Sequence, residues 1–382
     1  MPRKTAFIKA LGASALTSLL MLFDRFILNL LPVIYWGGET AGLWIIFRAW
    51  SFLLMSLEGG VGGRLSNDIS NARKTNENFS ANHLYQRASK SQFNWGGTVF
   101  LVNAITVSLL GGYLNQYLFF DIANYRLELI LIGGYAALYY QSQLGVYRLR
   151  GEGMVYKGQM IVNAAKSVEV VCLLILPIAG FEILGCIVAM ILTRVSLLIY
   201  FGFLFRNKAL LVENTVLSNE SKNLKSILSF FLYPVIPAVY NFAPLLIVGV
   251  LWGQVGVLVF SISKLFGRVL VQISQILSRV LWPQISTMPL GEIRSFISQV
   301  FKKYSVVSTG LLIPIVVIAY VVDGFVYSGV EIQFELVFVL TIGAYVMSYN
   351  DVLSSILVAL NKHYIPLLLR FFIVLSSPLV LL

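Results

Sequence analysis

The chain has 382 residues, 58% of them hydrophobic and 12% charged, with a formal net charge of +11. Soluble proteins carry about 25% charged residues, so most soluble enzymes are excluded and the chain reads as an integral membrane protein. Its apolar runs are continuous over about 20 residues, as transmembrane helices require, and lack the roughly 10-residue alternation of a transmembrane β-barrel.

In chain order, eleven spans are expected at about 11–36, 41–62, 92–112, 126–147, 161–180, 184–205, 227–251, 255–281, 304–322, 334–357 and 366–382. The first follows Arg3, Lys4 and Lys9, as a signal peptide would. It continues through Asp24 and Arg25 to Tyr35, too long for a cleavable apolar core, and reads as an uncleaved first span. Cys172 and Cys186 both fall within apolar runs and read as small packing residues, with no histidine spaced to make a metal site.

The polar segments alternate in charge. Those at 1–10, 63–91, 148–160, 206–226 and 283–303, with Lys362, hold nineteen Lys and Arg, whereas those at 37–40, 113–125, 181–183, 252–254 and 323–333 hold none. Basic residues collect on the cytoplasmic side, which places the N-terminus inside and accounts for most of the net charge without a nucleic-acid partner. The polar stretch 206–226 reads as a cytoplasmic linker between an N-terminal six-helix lobe, 1–205, and a C-terminal five-helix lobe, 227–382.

An internal repeat relates Gly42–Ser70 to Gly256–Ser286: both end in Ile-Ser, and 22 residues earlier each carries a cation, Arg48 or Lys264. Arg64 matches Arg279 within one residue, and Asp24 in the first span lies opposite Asn241, or a close neighbour, in the seventh. Six spans separate the copies, so the halves are expected to be parallel repeats about an axis normal to the membrane, an arrangement used by transporters that rock two lobes around a midplane site.

Nine cations lie within or at the ends of spans: Arg25, Arg48, Arg126, Lys166, Arg194, Lys264, Arg268, Arg279 and Arg370. Arg126, Arg279 and Arg370 are close enough to a span end to snorkel. The other six would cost roughly 15–20 kcal/mol facing lipid, and must face protein or water. On the eighth span Ser261, Lys264, Arg268, Gln272, Gln275 and Arg279 fall within a helical arc of roughly 80° and extend over about 27 Å. This polar stripe reads either as a packed, hydrogen-bonded interface or as the lining of a cavity that meets an anion. Two cations one turn apart on a span without an acid favour the cavity, with Arg48 at equivalent depth on the second span.

The intramembrane acids are Asp24, Glu58, Glu169 and Asp351. Lys166 and Glu169, three apart, are expected to pair, while Asp24 and Asp351 are candidates for binding a coupling proton or sodium ion. Pro234, Pro237 and Pro244 interrupt the seventh span, and Gly59, Gly60, Gly62 and Gly63 loosen the end of the second. Gly151-Glu152-Gly153, His83, His363 and Asn78-Phe79-Ser80 lack the context of a phosphate loop, a metal site or an external glycosylation site. No catalytic constellation, metal site or cofactor motif is found, and a membrane enzyme is disfavoured by the short external loops.

Leu22-Phe23-Asp24-Arg25-Phe26, the run from Tyr240 to Ser286 and the two-half organisation resemble the bacterial polysaccharide flippases called Wzx, in the MOP exporter superfamily that also holds the MATE exporters and the lipid II flippase MurJ. The resemblance implies an all-α inner-membrane protein that moves undecaprenyl-diphosphate-linked oligosaccharide repeat units to the outer leaflet for O-antigen or capsule synthesis, alongside a polysaccharide polymerase. It further implies that Arg25, Arg48, Lys264 and Arg268, extended by Gln272, Gln275 and Arg279, line the cavity, and that Asp24 couples or gates. The family usually has twelve spans against the eleven here, so the last is expected to be absent or truncated. The alternative is a MATE-like ion-coupled multidrug exporter, for which an acid-rich lumen would be expected.

Overall fold

The structure, a computed structural model, describes residues 2–74, 81–114, 122–206, 224–285, 290–321, 326–327, 330–331 and 333–359. These form a polytopic helical bundle with nine α-helices among the described residues: α1 (Pro2–Ser56), α2 (Val61–Lys74), α3 (Ala81–Leu114), α4 (Arg126–Gly151), α5 (Val155–Ile178), α6 (Ile183–Arg206), α7 (Leu224–Ile285), α8 (Leu290–Val321) and α9 (Phe334–Ala359). A short antiparallel hairpin, β1 (Val326–Tyr327) and β2 (Val330–Glu331), pairs Tyr327 with Val330 between α8 and α9. The first ten expected spans lie on these helices. The eleventh, 366–382, and most of the 206–226 linker lie outside the described residues.

Spans one and two are joined in α1 across a kink at Gly37 (φ 80°, ψ 169°), and spans seven and eight in α7 across a kink at Gly253 (φ 70°, ψ −169°). Both dihedral pairs belong to glycine alone, and both fall in the short connections 37–40 and 252–254. Arg48 lies eleven residues after the first kink and Lys264 eleven after the second, so the break and the cation keep one register in both repeats. Pro234, Pro237 and Pro244 do not break α7, whose one non-helical residue is Gly253.

The described helices group into two compact units, 46–250 and 1–45 with 251–382. In the first, α4 packs against α2, α3, α5 and α6. Leu65, Ile69, Leu84 and Leu144 form one core cluster, and Leu149, Leu197, Phe201 and Phe205 another. In the second unit α8 packs on α9, and Leu281, Ile285, Ile293, Tyr304, Val352 and Ile356 form the core. A methyl group at Gly42 would overlap the Gln254 carbonyl, so the backbones of α1 and α7 touch there. Rows of exposed apolar side chains, such as Leu101, Ile105 and Leu109 on α3 and Ile313, Val317 and Val321 on α8, are stable only against lipid.

Candidate functional site

The eighth-span half of α7 carries the expected polar stripe, and most of it is withdrawn from the surface. Ser261, Arg268 and Gln272 are buried, the last only 1% exposed, while Lys264 and Gln275 are half-buried. Arg279 is on the same helix, with its side chain outside the described residues. The charges of Arg268 and of Arg25, from α1, both act on Lys264, which gathers three cations from two helices into one neighbourhood. Asp24, 2% exposed, precedes Arg25 on α1, so the cluster keeps a formal excess of positive charge with that acid included. Lys264 also holds its ammonium 5.7 Å from the centre of the Phe260 ring, a cation–π contact.

Gln272 stands one turn beyond Arg268, and neither atom of its amide makes a hydrogen bond. The hydroxyls of Ser263 on α7, Thr341 on α9 and Ser18 on α1 are likewise buried and unbonded. Buried polar groups are normally satisfied. The Gln272 amide, one turn from Arg268, is therefore a buried hydrogen-bonding group with unused capacity.

Asp351 is half-buried on α9, against the later part of α7. Ser274 Oγ approaches its Oδ2 at 3.5 Å, and Ser274 is ten residues from Lys264, about 15 Å along the helix. Serines 278 and 355 donate to its backbone carbonyl at 3.3 and 2.9 Å. Hydroxyls of Ser308, Tyr349, Tyr345 and Thr309 form a chain between α8 and α9.

Arg48 belongs to the other unit. It is 9% exposed, its guanidinium lies 5.5 Å from the Phe52 ring centre, and its charge reaches Tyr135 and Cys186. Lys166 and Glu169 pair as expected at 2.6 Å. Their spacing gave no sign of the third member: Arg194, on α6, binds the other carboxylate oxygen at 2.9 Å and the Tyr135 hydroxyl at 3.1 Å, sandwiched near the Tyr135 and Tyr139 rings. The six cations expected to avoid lipid are all buried or half-buried. At the polar end of this unit Arg148 pairs with Glu152 at 2.9 Å and stacks 4.0 Å from Phe205 and 5.3 Å from Tyr85. Burial pushes the Tyr85 hydroxyl above its ordinary value, and the Arg148 charge partly offsets the rise.

No protein-family model matches the chain, and no curated relative matches it. Solved structures do. An inward-facing multidrug resistance MATE family transporter of the MOP superfamily superposes with a TM-score of 0.72, at 15% identity, over 97% of this chain and 88% of its own. A MATE structure in the straight conformation gives 0.71, at 16% identity, over 97% and 86%. A Pyrococcus furiosus MOP superfamily transporter, whose reversed binding-pocket polarity is described as suggesting a different function, gives 0.69 at 16% identity over 97% and 86%. The chain therefore has the fold of these transporters.

Proposed function

We propose that the protein is a flippase of the bacterial cytoplasmic membrane that carries undecaprenyl-diphosphate-linked oligosaccharide repeat units from the inner to the outer leaflet, by alternating access of its two repeated halves, 1–205 and 227–382. The observation that carries this reading is the neighbourhood of Arg25, Lys264 and Arg268 on α1 and α7, beside the unbonded Gln272 amide. A diphosphate needs cations, a sugar needs hydrogen-bond partners, and a prenyl tail can remain in the bilayer. The neighbouring structures are transporters, and one of them is distinguished by the polarity of its pocket. Gln275 and Arg279 extend the polar lining of α7 in this reading, and Arg48 is a further substrate-binding cation. Asp24 and Asp351 bind the coupling proton or sodium ion, the N-terminus is cytoplasmic, and a polysaccharide polymerase takes the product.

A second reading has its own support: several of the neighbouring structures are multidrug MATE transporters, so an ion-coupled drug exporter uses the same fold. The two readings part on one experiment, complementation of a strain lacking its polysaccharide flippase. Restored surface glycan, lost again in Lys264→Glu and Arg268→Glu variants that still insert, supports the flippase. Normal glycan in both variants rejects the cationic site, and dye efflux without glycan supports the exporter.

A further inference from the structure

The second span does not end smoothly. Leu31–Ser56 and Val61–Ser70 meet at 44° across residues 57–60, where Gly59 (φ 77°) and Gly60 (φ 69°) adopt the left-handed conformation. Such a break frees backbone carbonyls that must find donors in the bilayer. Neighbouring helices supply them: Trp95 Nε1 on α3 donates to the Leu57 carbonyl at 2.5 Å, Gln92 Nε2 to the Glu58 carbonyl at 3.0 Å, and the Tyr140 hydroxyl on α4 to the Leu54 carbonyl.

Within this clasp two acceptors have no donor. Glu58 Oε1 is buried without a hydrogen bond, and so is Oε1 of Gln92, a residue with no exposed surface. The Glu58 carboxyl is wedged against Gly62, where a Cβ would stand 2.7 Å from Oε1 and overlap the Tyr147 ring. The groups it acts on are the neutral phenols Tyr139, Tyr140 and Tyr147 of α4, with Arg150 acting on Tyr147 from beyond. Gln92 and Trp95, on α3, are uncharged, and no cation among the described residues pairs with Glu58. A carboxylate in such a place is unfavourable, whereas a carboxylic acid donates one hydrogen bond and removes the charge together. A hard metal cation would instead need several oxygen ligands, and the carbonyls of Leu54, Leu57 and Glu58 are already taken by side-chain donors.

We propose that Glu58 is a proton-binding site whose occupancy holds the 57–60 break in its bent, clasped form, so that loss of the proton releases it. The proposal concerns the ion that drives or gates the protein and holds whichever solute is carried, so its failure is separate from that of the flippase reading. The sign follows from the clasped state holding the extra proton: it is favoured as pH falls and lost as pH rises.

The test is hydrogen–deuterium exchange of the full chain in lipid nanodiscs, following residues 54–62 from pH 5 to 9 after correction for intrinsic exchange. The ratio of clasped to released forms should fall about tenfold per pH unit above one midpoint, equally in sodium and in potassium. Glu58→Gln, a permanent donor of the same shape, should stay protected throughout. Trp95→Phe should raise exchange about fivefold at every pH and keep the slope, since it removes one uncharged hydrogen bond. A wild-type slope retained in Glu58→Gln, no slope in the wild type, or a sodium-dependent midpoint overturns the proposal. Should Glu58→Gln fail to fold, the wild-type infrared spectrum decides: a protonated-carboxyl band that vanishes with the same midpoint supports it, and no such band overturns it.

Discussion

The Lys166–Glu169–Arg194 group separates structural charge from functional charge, and the structure sets the order of its effects. Glu169 is 1% exposed and bridges two cations, so Glu169→Gln leaves Arg194 buried without its counter-charge. Removing one partner of a buried pair costs about 3–5 kcal/mol. Arg194→Met belongs to the same class, because the Arg194 side chain is 6% exposed and also surrenders its contacts with Tyr135 and Tyr139. Lys166 is different. Its side chain is 16% exposed, it sits three residues from Glu169 on one helix, and Lys166→Met should cost about 1 kcal/mol or less. The double variant Arg194→Met/Glu169→Leu removes both charges of the deep pair and should cost at least about 2 kcal/mol less than the sum of its single changes. Unfolding in mixed micelles titrated with SDS measures all four. The reasoning is refuted if Lys166→Met proves as costly as Arg194→Met, or if Glu169→Gln is indistinguishable from the wild type.

Two further outcomes are expected in the same assay. Gly267→Ala sets a Cβ 2.5 Å from that of Ala344, so α7 and α9 must part, at about 1–3 kcal/mol; Gly310→Ala, in open space on α8, is its control and should lie within about 0.5 kcal/mol of the wild type. Asn103 donates to the Leu129 carbonyl at 2.9 Å and accepts from Trp50 Nε1 at 3.0 Å, and Asn103→Leu should cost about 1–3 kcal/mol by leaving the indole unbonded. A smaller loss on adding Trp50→Phe would identify that orphaned donor as the cause.

The helices were legible because a membrane leaves a long apolar run one way to satisfy its backbone. The positions of both glycine kinks were legible as well, since Gly37 and Gly253 fall in short connections between spans. Local pairing could be read from spacing, as for Lys166 and Glu169. What joins helices far apart in sequence could not. Arg194 reaches Glu169 from 25 residues away, and Tyr140 reaches Leu54 from 86, and no periodicity encodes either contact. Glycines 59 and 60 announced a weak point in the second span, but the donors that hold it belong to α3 and α4. The pairing of 326–327 with 330–331 had a local sequence signal, since the dipeptide between them, Ser-Gly, is of a kind that marks turns.

The two repeats share a kink and a cation but diverge one span-length later. Glu58 lies 21 residues after Gly37, and the residue 21 after Gly253 is Ser274. Around Ser274 the helix runs unbroken, its hydroxyl donating to the Val271 carbonyl at 2.8 Å and facing Asp351 on the fourth span of its half. Around Glu58 the helix is broken, and the fourth span of that half, α4, brings tyrosines. Acid and hydroxyl have thus exchanged helices between the copies. An acid on the break changes the backbone that carries it when it gains or loses a proton. On the Glu58 proposal, halves with the carboxyl moved in this way respond unequally to one proton, with the response of the backbone confined to the 57–60 break.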